Sequence, residues 1–398
     1  MKDNSFRSYF PIFKKNPKLV YFDSASTSLK PQTVIDAMSD FYNNNGMNFR
    51  SFGTLSVQNN RLMGETREKT AQFINAEPEE IIFTKGTTES LNMLTQILSQ
   101  NIQPGDEIIT SELEHNSSVL PCIKAAEDKQ AKLVFVPLSD QNKITVENFK
   151  TVLTDKTKIV VLTHMSNVLG YETPIKEIAK IAHQKDVLVI LDAAQSVAHQ
   201  RLDMKDLDVD FMAFSAHKIY GPFGVGILYG KKVHLEKMKP SFLGGGTIQE
   251  VFKDRYVLRD TPYKFESGTP NIGSVIAFKK SLEFIESIGI DKIHQHNKKM
   301  VAKIKEEFKK IPQIKVLNEG ADNLVLFVFD KIHAHDVESS LAKHNIYLRT
   351  GLHCANLASK KLNQISTIRV SVGLHNTEED IAFLITHLKK IKDFFSLI

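Results

Sequence analysis

Between residues 80 and 230 the chain repeats one pattern: a short apolar run, a longer segment of helical periodicity, then another apolar run. Ile81-Ile82-Phe83 precedes a helical pattern from Thr88 to Leu98, and Glu107-Ile108-Ile109 precedes one near Ser118 to Glu127. Leu133-Val134-Phe135-Val136 precedes Val146 to Leu153, and Ile159-Val160-Val161-Leu162 precedes Ile175 to His183. Short continuous apolar runs between polar segments read as strands buried on both faces, and strands that alternate with helices pair in parallel. The repeat predicts an α/β chain with a doubly wound, mostly parallel sheet. Such sheets bind ligands beyond the carboxyl ends of their strands, so polar residues there are the first functional candidates.

Two strand ends carry an unusual set of groups. The run Val187-Leu188-Val189-Ile190-Leu191 ends in Asp192-Ala193-Ala194-Gln195, and Phe211-Met212-Ala213-Phe214 ends in Ser215-Ala216-His217-Lys218. Taken singly, a lysine after a strand is usually a solvated residue and an aspartate there often caps a helix. Together they are the groups that pyridoxal 5'-phosphate requires. A lysine amine forms the Schiff base, and a carboxylate keeps the pyridine nitrogen protonated so that the ring withdraws electrons.

Other candidates keep two readings on their residues alone. Lys85-Gly86-Thr87-Thr88-Glu89, between a strand and a helix, suits either threonine capping or an anion site at a helix N-terminus. His115 follows an apolar strand and reads as a hydrogen-bonded, half-buried imidazole or as a site group. Arg369, inside Ile368-Arg369-Val370, needs an anionic partner, which is either a structural carboxylate or that of a substrate. Cys354 follows a glycine-containing loop beside Arg349 and His353, where positive charge favours a thiolate. Cys122, inside a helix after Pro121, reads as an inert buried thiol.

Several spaced motifs then occur in one order: Glu114-His115-Asn116, Ser166-Asn167-Val168-Leu169-Gly170, Asp192 to Gln195, Ser215 to Lys218, Gly268-Thr269-Pro270-Asn271, and Arg349-Thr350-Gly351-Leu352-His353-Cys354-Ala355. On these the chain, from about Tyr21 to Leu388, resembles the class V, fold type I pyridoxal-phosphate enzymes and, among them, the cysteine desulfurases of the SufS type. The resemblance implies a large cofactor-binding domain over residues 20–265 and a smaller C-terminal α/β domain over 266–398, with residues 1–19 packed on the latter. It implies a homodimer, with the Gly244-Gly245-Gly246 loop near its interface. The implied activity converts L-cysteine to L-alanine and leaves a persulfide on Cys354 for a sulfur-acceptor or scaffold protein, in iron–sulfur cluster assembly. A selenocysteine lyase or another class V aminotransferase-type enzyme is the alternative; a degenerate cofactor-binding scaffold would have no reason to retain Lys218, Asp192 and Cys354 together.

The same resemblance assigns roles. Lys218 carries the cofactor and acts as base at the substrate α-carbon, and Asp192 pairs with the pyridine nitrogen. Gln195 holds the ring hydroxyl oxygen, while Asn167 reaches that oxygen or the substrate. His115 stacks on the ring and shuttles protons. Thr87, Thr88, Ser215 and His217 serve the phosphate, as does Thr269 from the neighbouring subunit. Arg369 binds the substrate carboxylate with Arg349 in support. Two positions depart from the pattern: Leu352 and Gly53 stand where the family commonly has histidine, which bears on proton handling near the sulfur and on partner docking.

The later chain carries long amphipathic patterns over Ser274 to Ile288 and Lys292 to Ile311. They are followed by the strand Leu324 to Phe329, a helix near Val337 to His344, strands at Ile346 to Leu348 and Ile368 to Ser371, and a last helix from Glu378. With only Cys122 and Cys354, a disulfide framework is excluded and a reducing compartment is suited. Residues 1–13 lack the apolar core of a secretory signal, and no apolar run nears the roughly 20 residues of a membrane helix. Cytoplasm is the expected location, with an organellar matrix left open. The net charge of +5 is spread along the chain, and neither a nucleic-acid motif nor zinc spacing is present. His294/His296 and His333/His335 lie two apart, a spacing that diverges on a helix, so no shared metal is expected.

Overall fold

The computed structural model describes residues 5–395. In chain order its strands are β1 (Val20–Tyr21), β2 (Ile81–Thr84), β3 (Glu107–Ser111), β4 (Lys132–Val136), β5 (Thr157–Thr163), β6 (Leu188–Asp192), β7 (Phe211–Ser215) and β8 (Gly226–Gly230). There follow β9 (Ile248–Val251), β10 (Tyr256–Leu258), β11 (Ile314–Val316), β12 (Leu324–Phe329), β13 (Ile346–Tyr347), β14 (Arg349–Gly351) and β15 (Thr367–Ser371). The central sheet has seven strands in the order β2-β8-β7-β6-β5-β3-β4. β3 to β7 pair in parallel as the alternating pattern predicts, while β8 runs antiparallel to both of its neighbours.

The unbroken apolar runs follow from cores on both faces of that sheet. In β5, Ile159 and Val161 belong to a core with Leu91, Leu94, Cys122 and Ala125 of helices Thr87–Leu98 and Asn116–Lys129. The alternate residues Val160 and Leu162 face Ile178, Ala179 and Ala182 of helix Ile175–His183, together with Phe278 and Leu282 of helix Ile272–Ile288. A strand with two buried faces has no place for polar alternation. At roughly 25 cal/mol per Å², burying these side chains is the main favourable term of the fold.

A second sheet, β11-β12-β15-β14, is antiparallel. It builds its own core from Val325, Phe327, Ile368 and Val370, with Val301, Ile304 and Phe308 of helix Ile290–Phe308 and Leu384 and Leu388 of helix Glu378–Phe395. The N-terminal segment joins this body. β1 pairs with β13, Arg7 meets Asp380 at 2.8 Å, and Phe10 and Phe13 pack on the His375 ring. Helix Ile272–Ile288 instead packs on helices Gln32–Asn44 and Thr54–Ile74, the second of which has only a weak apolar stripe. The reason is visible in Thr54–Ile74, which buries Ser56, Asn59, Thr66, Arg67 and Thr70 among its inward positions. Arg67 is tolerated there because it forms a paired contact with Glu266, at 2.8 and 2.9 Å.

Candidate active site

The carboxyl ends of β2, β3, β5, β6 and β7 open on one cavity of about 210 Å³. Thr87, Thr88, His115, Asn167, Asp192, Gln195, Ser215, His217 and Lys218 line it from the central sheet. Arg349, His353, Cys354 and Arg369 line it from the second sheet, and Ala25 and Ser26 from the N-terminal segment. One residue, expected to serve the neighbouring subunit's phosphate, lies elsewhere. Thr269 borders a separate cavity with Lys85, Glu89, Gly224 and Phe242, so the folded chain does not bring it to its own Lys218.

At one end the groups suit an anion. Helix Thr87–Leu98 begins without a side-chain cap, so its first amides face the cavity region without side-chain acceptors of their own, apart from that of Thr87. The Thr87 N–H donates to Ser215 Oγ at 2.8 Å, and the two hydroxyls lie 2.7 Å apart. Thr88 Oγ1 contacts Ser117 Oγ at 2.8 Å, and Ser117 Oγ in turn contacts His115 Nδ1 at 2.9 Å. β8 makes this packing tight. A Cβ at Gly226 would fall 2.4 Å from the Gly86 Cα, so the loop before the helix needs glycine across from it.

Asp192, at the end of β6, is 4% exposed. Its Oδ2 accepts from Ser118 Oγ at 2.8 Å and its Oδ1 from the Ala194 N–H at 3.0 Å, which fixes the carboxylate plane. Ser118 escaped the sequence reading. The available signal was helical spacing, since it lies three residues after His115 on the same helix. Gln195 Nε2 donates to the Ala25 carbonyl at 2.9 Å, which leaves its amide oxygen as the free acceptor. Lys218 closes a short turn after β7; burial lowers its pKa from the ordinary lysine value, Asp192 opposing the shift and Arg369 adding to it.

Opposite lies a cationic corner. Arg369 is fully buried on β15 and donates to the Asn167 carbonyl at 2.9 Å, to Asp23 Oδ1 at 3.0 Å and to Ser26 Oγ at 2.9 Å. Its Nε finds no protein partner, although buried. Asp23 and Ser26 are the residues that sequence reasoning missed here; they sit more than 340 positions away and meet Arg369 only in the fold. Arg349 donates to the same Ser26 Oγ at 3.2 Å, and its other terminal nitrogen is 3.9 Å from Cys354 Sγ.

Cys354 is exposed, at the end of a tightly wound loop. Gly351, His353 and Cys354 have φ of 103, 52 and 55°, the left-handed region that side chains other than glycine rarely adopt. The surroundings hold them there. Asn167 Nδ2 donates to the His353 carbonyl at 2.8 Å, the Asn116 N–H to the Cys354 carbonyl at 2.8 Å, and His353 Nε2 contacts Thr367 Oγ1 at 2.8 Å. Burial pushes the His353 imidazole down to about 3, with Arg369 and Arg349 adding to the effect, so it stays neutral at ordinary pH. Leu352 beside it is 39% exposed.

This donor set fits pyridoxal 5'-phosphate. There are hydroxyls and helix amides for a phosphate, an oriented buried carboxylate for the pyridine nitrogen, an amide oxygen and an imidazole beside the ring position, and a buried amine. The cationic corner beyond has a buried guanidinium nitrogen to spare for an amino-acid carboxylate.

Comparison with known proteins agrees with the geometry. The family described as aminotransferase class-V matches residues 20–384. A protein of Halalkalibacterium halodurans named "Probable cysteine desulfurase" is 38% identical over 99% of both chains. One of the same name from Staphylococcus aureus is 38% identical over 97% of this chain and 96% of its own. The crystal structure of an Escherichia coli cysteine desulfurase superposes with a TM-score of 0.93 at 34% identity, covering 99% of both chains. That of a Thermococcus onnurineus cysteine desulfurase, in its apo form, gives 0.91 at 33% identity and 97% coverage of both.

Proposed function

The chain belongs to the aminotransferase class-V family and, within it, to the pyridoxal-phosphate-dependent cysteine desulfurases, and from that premise we propose the residue roles of its reaction. L-cysteine is held by its carboxylate between Arg369 and Arg349, with Asn167 alongside. Thr87, Thr88, Ser215 and His217 would hold the cofactor phosphate, Asp192 its pyridine nitrogen, Gln195 its hydroxyl oxygen and Lys218 its aldehyde carbon, and His115 would lie against the ring. Pyridoxal 5'-phosphate, when bound, supplies the electron sink that weakens bonds at the substrate α-carbon.

Lys218, its amine shifted toward the neutral form by burial, takes the α-proton. Cys354 Sγ attacks the substrate sulfur: an S–S bond forms and the substrate C–S bond breaks. The former cysteine gains a proton at its β-carbon, recovers the α-proton from Lys218 and leaves as alanine, so the enzyme retains one extra sulfur as a persulfide. His353 fixes the loop through its contact with Thr367.

The observation that carries this reading is Cys354 at the rim of the same cavity as Lys218, with the Arg349 guanidinium 3.9 Å from its Sγ. A SufS-type enzyme passes the persulfide to an acceptor or scaffold protein, and iron–sulfur cluster assembly is the destination we assign. The exposed loop of Cys354 and Leu352 suits such a hand-over. The working unit is a homodimer in the cytoplasm. Thr269, away from its own cavity, then serves the neighbour's phosphate. We take residues 20–265 and 266–398 as the two domains on the strength of the second sheet's own core, while helix Ile272–Ile288 packs on the large domain and Val20 and Phe22 on the small one.

Mass spectrometry after one turnover with L-cysteine tests the assignment. A 32-dalton adduct is expected on the peptide that bears Cys354; an adduct on Cys122, or none, overturns it.

A further inference from the structure

The peptide just before Lys218 is held in an unusual way. A carbonyl oxygen has two lone pairs, yet four donors converge on that of His217. They are the Ser28 N–H at 3.0 Å, Thr27 Oγ1 at 3.0 Å, Ser28 Oγ at 2.9 Å and Lys30 Nζ at 2.9 Å. Ser28 Oγ also accepts from the Tyr220 N–H at 2.6 Å. Residues 27–30 thus grip the chain on both sides of Lys218.

Lys30 contributes the amine of this clamp and does not line the cavity. Its ammonium is aimed at the carbonyls of His217 and Ser28 rather than at a carboxylate. It also lies over the Phe223 ring, 5.0 Å from the centroid. Phe223 in turn stacks on the His217 ring, with 5.5 Å between centroids and 22° between planes. Lys30 therefore reaches His217 twice, directly at its carbonyl and through Phe223 at its imidazole. Burial lowers Lys30 from the ordinary lysine value to about 7, a cost that an ordinary surface lysine does not carry.

We propose that Lys30 is a positioning residue for Lys218 and His217: it locks the 217–218 peptide and the His217 ring, and so sets how Lys218 enters the cavity. The physical reason is leverage. Lys218 reaches the cavity on a long flexible stem, so a small rotation at its backbone moves its amine by more than a reacting geometry tolerates. Each further donor on the preceding carbonyl adds resistance to that rotation. The proposal rests on the reading of Lys218 as the cofactor lysine.

The test compares the parent with Lys30→Met and Lys30→Arg, each purified as holoenzyme. Three quantities are read: the cofactor dissociation constant by dialysis, the pH midpoint of the visible absorbance band, and kcat and KM for L-cysteine. In Lys30→Met the dissociation constant is expected to rise about tenfold, as for loss of one hydrogen bond. The band's midpoint should move by about half a pH unit or more, with KM within about twofold and the loss in kcat. Lys30→Arg should recover most of both changes.

An unchanged band midpoint and dissociation constant in Lys30→Met would overturn the proposal. So would an arginine variant as impaired as the methionine one, since Lys30 would then only fill space. Should Lys30→Met fail to fold, Thr27→Val removes another donor from the same carbonyl, and the same shift, smaller, is required of it. Lys218→Ala separates the two readings. If it keeps the parental band, the lysine assignment itself falls; if it loses the band while Lys30→Met titrates as the parent, only the role of Lys30 falls.

Discussion

Arg349 and Arg369 face each other across the β14–β15 register and both donate to one acceptor, Ser26 Oγ, at 3.2 and 2.9 Å. Two guanidinium groups so placed repel, and Asp23 offsets only part of this by pairing with Arg369. A further anion is therefore welcome between them. This is the ground on which we propose the pair as the site for an amino-acid carboxylate.

Arg369→Lys should raise KM for L-cysteine by about 100-fold, because a point charge cannot reproduce the forked donors of guanidinium. The cofactor's colour should remain, since Arg369 lies with the substrate groups. Steady-state kinetics and an absorbance spectrum on the same sample check both parts.

The Asp192 carboxylate is held by Ser118 Oγ and the Ala194 N–H, so its proposed role rests on orientation as well as charge. Asp192→Asn should keep the fold and lose roughly 100-fold or more in kcat. Ser118→Ala, which frees the carboxylate to turn, should cost about fivefold, the worth of one hydrogen bond. A Ser118→Ala enzyme with parental kcat would show that the Ala194 amide suffices.

The contrast between Ser118 and Ser26 shows what a sequence can reveal. The strands and the groups at their ends were legible because both depend on local patterns: runs of apolar residues, then a polar residue where the run stops. Ser118 was within reach, one helical turn past His115. Ser26 and Asp23 were not, because they join Arg369 only when β15 runs beside the N-terminal segment. Arg349–Gly351, read as loop, is a strand; three residues with a glycine carry no alternation to read, and only pairing with β15 defines them. Helix Thr54–Ile74 was hidden for the opposite reason, since polar side chains occupy its buried face.

Away from the cavity, at the amino end of β7, Asp210 has a side chain only 3% exposed. Burial would raise its pKa, but hydrogen bonds from His234, the Val189 N–H and His183, with Lys231 nearby, hold it well below the usual carboxylate range. A lowered folded-state pKa contributes stability that is complete above the unfolded value of about 3.9 and fades as pH falls through the folded one. Asp210→Asn should therefore lose roughly 3 kcal/mol at neutral pH, as for a broken buried ion pair. Its melting temperature should also fall less than the parent's on going from about pH 6 to about pH 3. Melting curves across that range decide it; parallel curves would mean that Asp210 does not couple to protons.

The two thiols differ as sharply as two cysteines can. Cys122 is fully buried, and burial with the nearby Glu114 raises its pKa far above the ordinary thiol value. Cys354 is exposed on a loop wound through left-handed residues that the Asn167, Asn116 and Thr367 contacts hold in place. Iodoacetamide at about pH 7.5 should therefore modify Cys354 alone in the native enzyme, and both thiols once it is unfolded. Cys354→Ala removes no group that faces the cofactor phosphate or ring, so the protein should stay coloured and should still change its spectrum on adding L-cysteine. Alanine release should fall by about 1,000-fold or more, because nothing remains to accept the sulfur. Cys122→Ala should lose some stability through its cavity but turn over as the parent does. Alanine release that survives in Cys354→Ala and fails in Cys122→Ala would reverse the roles of the two residues.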